Sequence, residues 1–188
     1  MAENNRCDWA NDNTLETIYH DQEWGCPVYD DKKLFEMIIL EGKQAGLSWS
    51  TILAKRETIK EAFDGLDPEI IVNYDESKIE ELLQNKGIIR NKLKINAVID
   101  NAKAYFKVKE QYGSFSAFLW SYVNNKPIQN HWTDISQVPA RTELSDLISK
   151  DLKKLGFKFV GTTSIYAFMQ SIGMVNDHLT HCFLYDKR

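Results

Sequence analysis

The sequence has no excess of basic residues: 23 Lys and Arg against 27 Asp and Glu leave a formal charge of -4 and a pI near 5.6. That excludes the whole-surface positive field of a histone-like or polybasic nucleic-acid binder, so any nucleic-acid contact must come from a local patch. No apolar run approaches the ~20 residues of a membrane span, and no membrane partner is expected. The polar start MAENNRCDW lacks the basic and apolar regions of a secretion signal. Cysteine is scarce: Cys7, Cys26 and Cys182 form an odd, widely spaced set, which fits a reduced, cytoplasmic setting. Strand-like alternation is nearly missing, and there is no internal repeat or low-complexity tract. With 43% hydrophobic content over 188 residues, the chain has enough apolar material for one compact domain, or for two small lobes sharing a core.

What is present is helical spacing along most of the chain, which predicts a mainly α fold. Leu34, Met37 and Ile38 share one face, widened by Phe35, Ile39 and Leu40, behind the capping candidates Asp30 and Asp31. That helix is expected to be buried on most sides. Ile95, Val98, Ile99, Ala102 and Phe106 repeat the pattern, as do Leu144, Leu147, Ile148, Leu152 and Leu155. Shorter helices are expected from Ser48 to Phe63, Ser77 to Asn85, Ser114 to Val123 and Thr162 to Ile172, separated by breaks such as VNNKPIQN. Residues 124–140, with Pro127 and Pro139, read as the main loop, and no shift of composition there divides the chain.

The stretch LEGKQAGLSW, residues 40–49, ends an apolar segment with Glu41, Gln44 and Trp49. Glu41 follows Met37 by four residues and Ile38 by three, so a continuing helix places its carboxylate on the apolar stripe, with Gln44 on the same face. If Gly42 or Gly46 ends the helix instead, Glu41 turns to solvent or caps a neighbour. Trp9, Tyr19, Trp24 and Trp49 crowd the same region and shift the balance towards a carboxylate among aromatics, although such rings are ordinarily core. A buried carboxylate is costly unless a donor or cation meets it, and Lys43 points off the stripe. In the functional reading a ligand supplies the missing donor.

Cys7 and His20 near the start, with His178 and Cys182 near the end, make a second constellation. His178 and Cys182 stand at i, i+4, so a final helix would carry an imidazole and a thiolate on one face, half of a tetrahedral zinc site that the N-terminal pair completes. Four protein ligands leave no open position, which makes such a zinc structural, a clip between the chain ends. The plainer alternative is free cysteines and surface histidines, as His131 and His181 illustrate. A third feature, KGIIRNKLK at residues 86–94, gathers Lys86, Arg90, Lys92 and Lys94 without an acidic neighbour. Gly87 and Asn91 suggest a tight hairpin before a helix whose free N–H groups seat a phosphate, with salt-sensitive backbone binding. Lys150, Lys153, Lys154 and Lys158 read instead as the wet face of an amphipathic helix.

YHDQEWG (19–25), LFEMIILEGKQAGLSW (34–49), GIIRNKLKI (87–95), GFKFVGTT (156–163) and VNDHLTHC (175–182) resemble the 3-methyladenine DNA glycosylase I family of helix-hairpin-helix glycosylases. The likeness runs in order, without large gaps, from Cys7 to Cys182. It implies a single glycosylase domain over 1–188, with a helical core at roughly 30–165 and termini 1–27 and 166–188 joined by a structural zinc on Cys7, His20, His178 and Cys182. It further implies a monomer in base excision repair that binds alkylated double-stranded DNA, flips out 3-methyladenine and releases it by hydrolysis, with no lyase step. Glu41 then recognises the adenine edge, Trp49 and Trp9 stack on it, Tyr19 offers a hydroxyl and Trp24 lines the pocket. Lys86, Gly87, Arg90, Asn91 and Lys92 contact DNA.

No residue is assigned as general base, and neither Asp100 nor Asp151 matches the catalytic aspartate of the wider superfamily. Two features depart from the pattern. Glu16 stands where family members often have a pocket tyrosine, and the hairpin lacks the double-glycine form of the superfamily at large. One rival reading is a catalytically silent binder of damaged bases on the same fold. A zinc deaminase, prompted by His20 and Glu23, lacks its Pro-Cys-x-x-Cys partner. A helical interaction module leaves the carboxylate and aromatic pocket unexplained.

Overall fold

The computed structural model describes residues 5–10 and 14–188. In chain order the helices are α1 (Thr14–Gln22), α2 (Asp31–Lys43), α3 (Trp49–Ala62), α4 (Pro68–Ile71), α5 (Glu76–Gln84), α6 (Lys92–Tyr112), α7 (Phe115–Ser121), α8 (Glu143–Leu155) and α9 (Thr162–Ser171). The expected helices are present: α3, α5, α7 and α9 lie within two residues of their predicted ends, and α2, α6 and α8 carry the three longer apolar patterns, α6 running on past Phe106 to Tyr112. α1 and the single turn α4 carry no clear apolar period, so the spacing of the sequence does not announce them.

Short polar side chains start several helices by satisfying backbone N–H groups that have no partner in the first turn. Asp30 accepts from Lys33 N at 2.7 Å before α2, and Ser48 accepts from Thr51 N at 3.2 Å before α3. Asp31 serves a second helix: its carboxylate accepts from Phe115 N and Ser116 N at 3.2 and 2.8 Å, which seats α7 on the start of α2. Packing then fixes α2 at the centre. Residues 34–43, all of α2 after its first three residues, are buried, and α2 packs against α3, α6, α7 and α9. Each fully buried Leu, Ile or Phe there contributes about 1.5–3 kcal/mol, so the helix that carries Glu41 is firmly held.

The segment 124–140 is less irregular than its composition suggests. It contains β1 (Ile128–Gln129), which pairs in parallel with β2 (Val175–Asn176), Ile128 opposite Val175 and Gln129 opposite Asn176. Strands of two residues are too short for a period to show. The pairing lays the loop against the C-terminal segment. There the expected final helix is absent: after β2 the chain runs through turns, with Cys182 N donating to Leu179 O at 2.7 Å and His178 N to Asn176 Oδ1 at 3.1 Å. α9 runs across positions 165 and 166, so the C-terminal segment continues directly from a helix packed on α2 and α8. Among the described residues no helix is long and apolar enough to cross a membrane.

Candidate functional site

Four helices, with turns and the main loop, converge on a cavity of about 300 Å³. α1 contributes Glu16 and Tyr19, the turn after it Trp24, α2 Glu41, its C-cap Gln44, α3 Trp49, and the short turn Asp8–Ala10 Trp9. Glu41, Tyr19, Trp49, Trp9 and Trp24, scattered along the sequence but expected in one pocket, line one space. α2 continues past Gly42 to Lys43, which keeps Glu41 on the buried stripe at 5% exposure. The rings pack edge to face or tilted, Trp9 against Trp24 at 5.1 Å and Tyr19 against Trp49 at 5.3 Å.

Among the described residues, Tyr19 Oη, Glu41 Oε2 and Trp49 Nε1 are buried with no hydrogen-bond partner. Leaving such an atom unsatisfied costs about 1–3 kcal/mol. Three of them on one cavity wall form a complementary set, an acceptor, a donor and a hydroxyl that does either. Burial pushes the Glu41 carboxyl up to about 8, with the Ser171 hydroxyl pulling weakly the other way. Burial likewise raises the Tyr19 phenol, reinforced by the Glu41 charge. The cavity is thus walled by aromatic rings around a buried carboxyl whose charged form is disfavoured until a partner meets it.

The wall carrying Trp24 is braced from both sides. Arg56 on α3 donates to both carboxylate oxygens of Glu23 at 2.7 and 2.9 Å and to Glu36 of α2 at 2.7 Å. On the other side lies the Cys and His cluster. Cys7, His20, His178 and Cys182 are all buried, with ligand atoms within 4.8 Å of one another, and together could hold a metal ion. Their outer nitrogens are also engaged: His20 Nδ1 meets Asp21 Oδ1 at 2.9 Å and His178 Nε2 meets the Trp24 carbonyl at 3.2 Å. That is the second layer of contacts which orients metal-binding histidines. Gly25 turns there at φ +77, and a Cβ would stand 2.9 Å from His178 Nε2, so both backbone and space require glycine. His131 pairs with the Tyr185 hydroxyl and His181 faces Asp8, both outside the cluster.

The basic segment connects α5 to α6. Lys86, Arg90, Asn91 and Lys92 are exposed and Gly87 is half-buried. The turn is held from within: Asn85 Oδ1 accepts from Gly87 N at 2.8 Å, and Thr58 Oγ1 donates to Gly87 O at 2.6 Å. Three expectations change here. Asn91 caps α6 by accepting from Lys94 N at 3.1 Å, so that N–H is not free for a phosphate. Glu76, remote in sequence, pairs with Lys92 at 3.3 Å on the surface. Lys94 turns inward, at 8% exposure, and donates to Lys43 O and Ala45 O at 3.0 and 2.6 Å, satisfying carbonyls at the end of α2. The second lysine set on and after α8 is exposed, as a wet face requires.

Sequence reasoning missed the far wall, formed by Ile135 and Val138 of the main loop, Ala167 and Gln170 of α9, and Asp177. Asp177 is 3% exposed and accepts hydrogen bonds from Asn130, Trp132, Tyr166 and Gln170. No local spacing marks it, because these partners come from other segments.

Residues 9–185 match the family model for methyladenine glycosylase. A DNA-3-methyladenine glycosylase of Haemophilus influenzae is 50% identical over 177 residues, covering 94% of this chain and 96% of the relative. A solved 3-methyladenine DNA glycosylase I superposes with a TM-score of 0.91 at 50% identity, covering 95% of this chain and 98% of its own. A variant of 3-methyladenine DNA glycosylase I in complex with 3-methyladenine superposes with a TM-score of 0.92 at 37% identity, covering 95% and 96%.

Proposed function

The chain belongs to the methyladenine glycosylase family, enzymes that hydrolyse N-glycosyl bonds, and we propose that it flips 3-methyladenine out of alkylated double-stranded DNA and releases it as the free base. The observation that carries this reading is the set of unpartnered atoms, Tyr19 Oη, Glu41 Oε2 and Trp49 Nε1, around one aromatic cavity. Adenine methylated at N3 is cationic in DNA. Glu41 accepts from its edge and gains more from a cation than from a neutral base, because the carboxylate is desolvated. Trp49 and Trp9 stack on the base, with Tyr19 and Trp24 completing the wall. A ring face adds about 0.5–2 kcal/mol with a cation and stacking about 1–3 kcal/mol, which together offset a flipping cost of a few kcal/mol. The base leaves neutral, so its departure needs little acid catalysis. Among the described residues no lysine lines the cavity, which supports hydrolysis without a Schiff-base lyase step.

In this reading α5, the basic turn and α6 act as a helix-hairpin-helix element, with Lys86, Gly87, Arg90, Asn91 and Lys92 on the DNA backbone. The Cys and His cluster holds a structural zinc. A tetrahedral zinc with ordinary bond lengths separates S and N ligands by about 3.6 Å. Cys7 Sγ lies 3.6 Å from His178 Nδ1, and Cys182 Sγ lies 3.5 Å from both His20 Nε2 and His178 Nδ1. With all four positions taken by protein, the metal clips the termini of a single glycosylase domain and leaves the chemistry to the cavity. Among the described residues no cysteine is in a disulfide, which fits a reduced, cytoplasmic setting, and action as a monomer on DNA is part of the same proposal. The test is chromatographic separation of bases released from alkylated duplex DNA, in which selective appearance of 3-methyladenine is expected. Tight binding of free 3-methyladenine with no release would make the protein a silent binder instead.

A further inference from the structure

Asp177 is a buried carboxylate that the recognition of the base edge by Glu41 does not use. It sits on the cavity wall at 3% exposure, between β2 and the candidate metal ligand His178. Its Oδ1 accepts from Asn130 Nδ2 at 2.7 Å and Trp132 Nε1 at 2.8 Å, and its Oδ2 from Tyr166 Oη at 2.5 Å and Gln170 Nε2 at 2.9 Å. All four partners are neutral, so the carboxylate is solvated by dipoles, and among the described residues no cation pairs with it.

The same four bonds use its acceptor positions, two on each oxygen. With its acceptor positions occupied, the carboxylate is not placed to receive a hydrogen bond from water or to attack the sugar. What remains to it is its field, which from a site 3% exposed reaches beyond contact distance. Its donors come from the main loop on one side and α9 on the other, so the charge is held in place before any ligand arrives.

We propose that Asp177 supplies the permanent negative charge of the pocket wall, and that its field, not proton transfer, favours the cationic base and the positively charged sugar formed as the glycosidic bond breaks. The inference rests on the glycosylase reading given above. It makes Asp177 a specificity-determining residue alongside Glu41 but in a different role, since Glu41 hydrogen-bonds the base whereas Asp177 selects for charge.

Asp177→Asn is the direct test, because the site can accommodate it. The amide oxygen keeps Asn130 and Trp132, while the new NH2 donates to the Tyr166 hydroxyl and to a flipped Gln170 amide. Single-turnover release of 3-methyladenine from alkylated duplex is measured beside the affinity for free 3-methyladenine, which is neutral. The expected result is release slowed by about tenfold or more, with free-base affinity within about threefold of wild type. Unchanged release overturns the proposal. So does a parallel loss of release and free-base affinity, because a displaced wall weakens both. If Asp177→Asn does not fold, Trp132→Phe and Tyr166→Phe decide: each removes one donor and keeps the charge, so release is maintained, and an about tenfold fall in both assigns Asp177 a structural role. Wild-type protein that releases no base at all counts against the glycosylase reading itself, which the parallel wild-type reaction reveals.

Discussion

Glu41 is buried at a cost to the fold, with one carboxyl oxygen left without a hydrogen-bond partner. Burial pushes its carboxyl up to about 8, from an ordinary value of 4.5. Between those values the folded protein holds a proton that the unfolded chain has released, so stability falls as pH rises through the window. Glu41→Gln keeps the shape without the titration. Thermal melts in paired buffers are expected to show this variant gaining on wild type from about pH 4.5 upward and levelling off above about pH 8. In the proposed reading the same ionisation governs binding of the cationic base. Wild-type kcat/KM on alkylated DNA is expected to climb with pH and level off above about 8, and the variant should lack that limb. A flat wild-type profile would show that the base does not meet an ionising Glu41.

The end of α2 joins the pocket to the basic hairpin through two lysines. Lys94, at the start of α6, donates to the carbonyls of Lys43 and Ala45, so the segment leading to Trp49 is tied to the element that carries the basic turn. Lys43 is the less comfortable of the pair. Its Nζ is buried without a hydrogen-bond partner, 4.5 Å from the centre of the Phe63 ring. Burial first, and then the charge of Lys94, lowers its ammonium to about 7. The Phe63 face favours the charged form and moderates this shift without reversing it. Because the unfolded chain binds the proton up to about 10.5, the penalty for burying Lys43 is full below about pH 7 and disappears above about pH 10.5. Lys43→Met is therefore expected to raise Tm at neutral pH, by about 2–4 °C per kcal/mol recovered, with the gain shrinking in alkaline buffer. A loss of stability at neutral pH would mean that Lys43 has a partner in solution. The inward turn of Lys94 was not legible, since a lysine in the first turn of an amphipathic helix reads as solvent-facing until the carbonyls opposite it are known. The helices themselves were legible because their apolar periods extend over several turns.

Across the whole molecule, the chain ends support the pocket. His178 holds the Trp24 carbonyl, Trp24 packs on Trp9, and Cys7 directly precedes the turn that carries Trp9. Cys182→Ala is expected to lose zinc by elemental analysis, lower the Tm and weaken free-base affinity together, and zinc-free wild type of undiminished Tm would contradict a structural metal. The cluster could be read from residue types alone, yet the helix expected to present His178 and Cys182 is a run of turns, which also brings residues four apart together. The far wall stayed invisible for a related reason: Asp177 draws its donors from positions 130, 132, 166 and 170, and only the closure of the loop onto α9 assembles them. The aromatic and carboxylate side was visible because Glu41 breaks an otherwise apolar stripe. The most direct test of charge recognition in the pocket is single-turnover release of 3-methyladenine from alkylated duplex by wild type and Glu41→Gln, with duplex affinity measured in parallel. The expected result is a loss of about a hundredfold or more in release with duplex affinity within about threefold of wild type. Equal release by both proteins would contradict the role of the buried carboxylate.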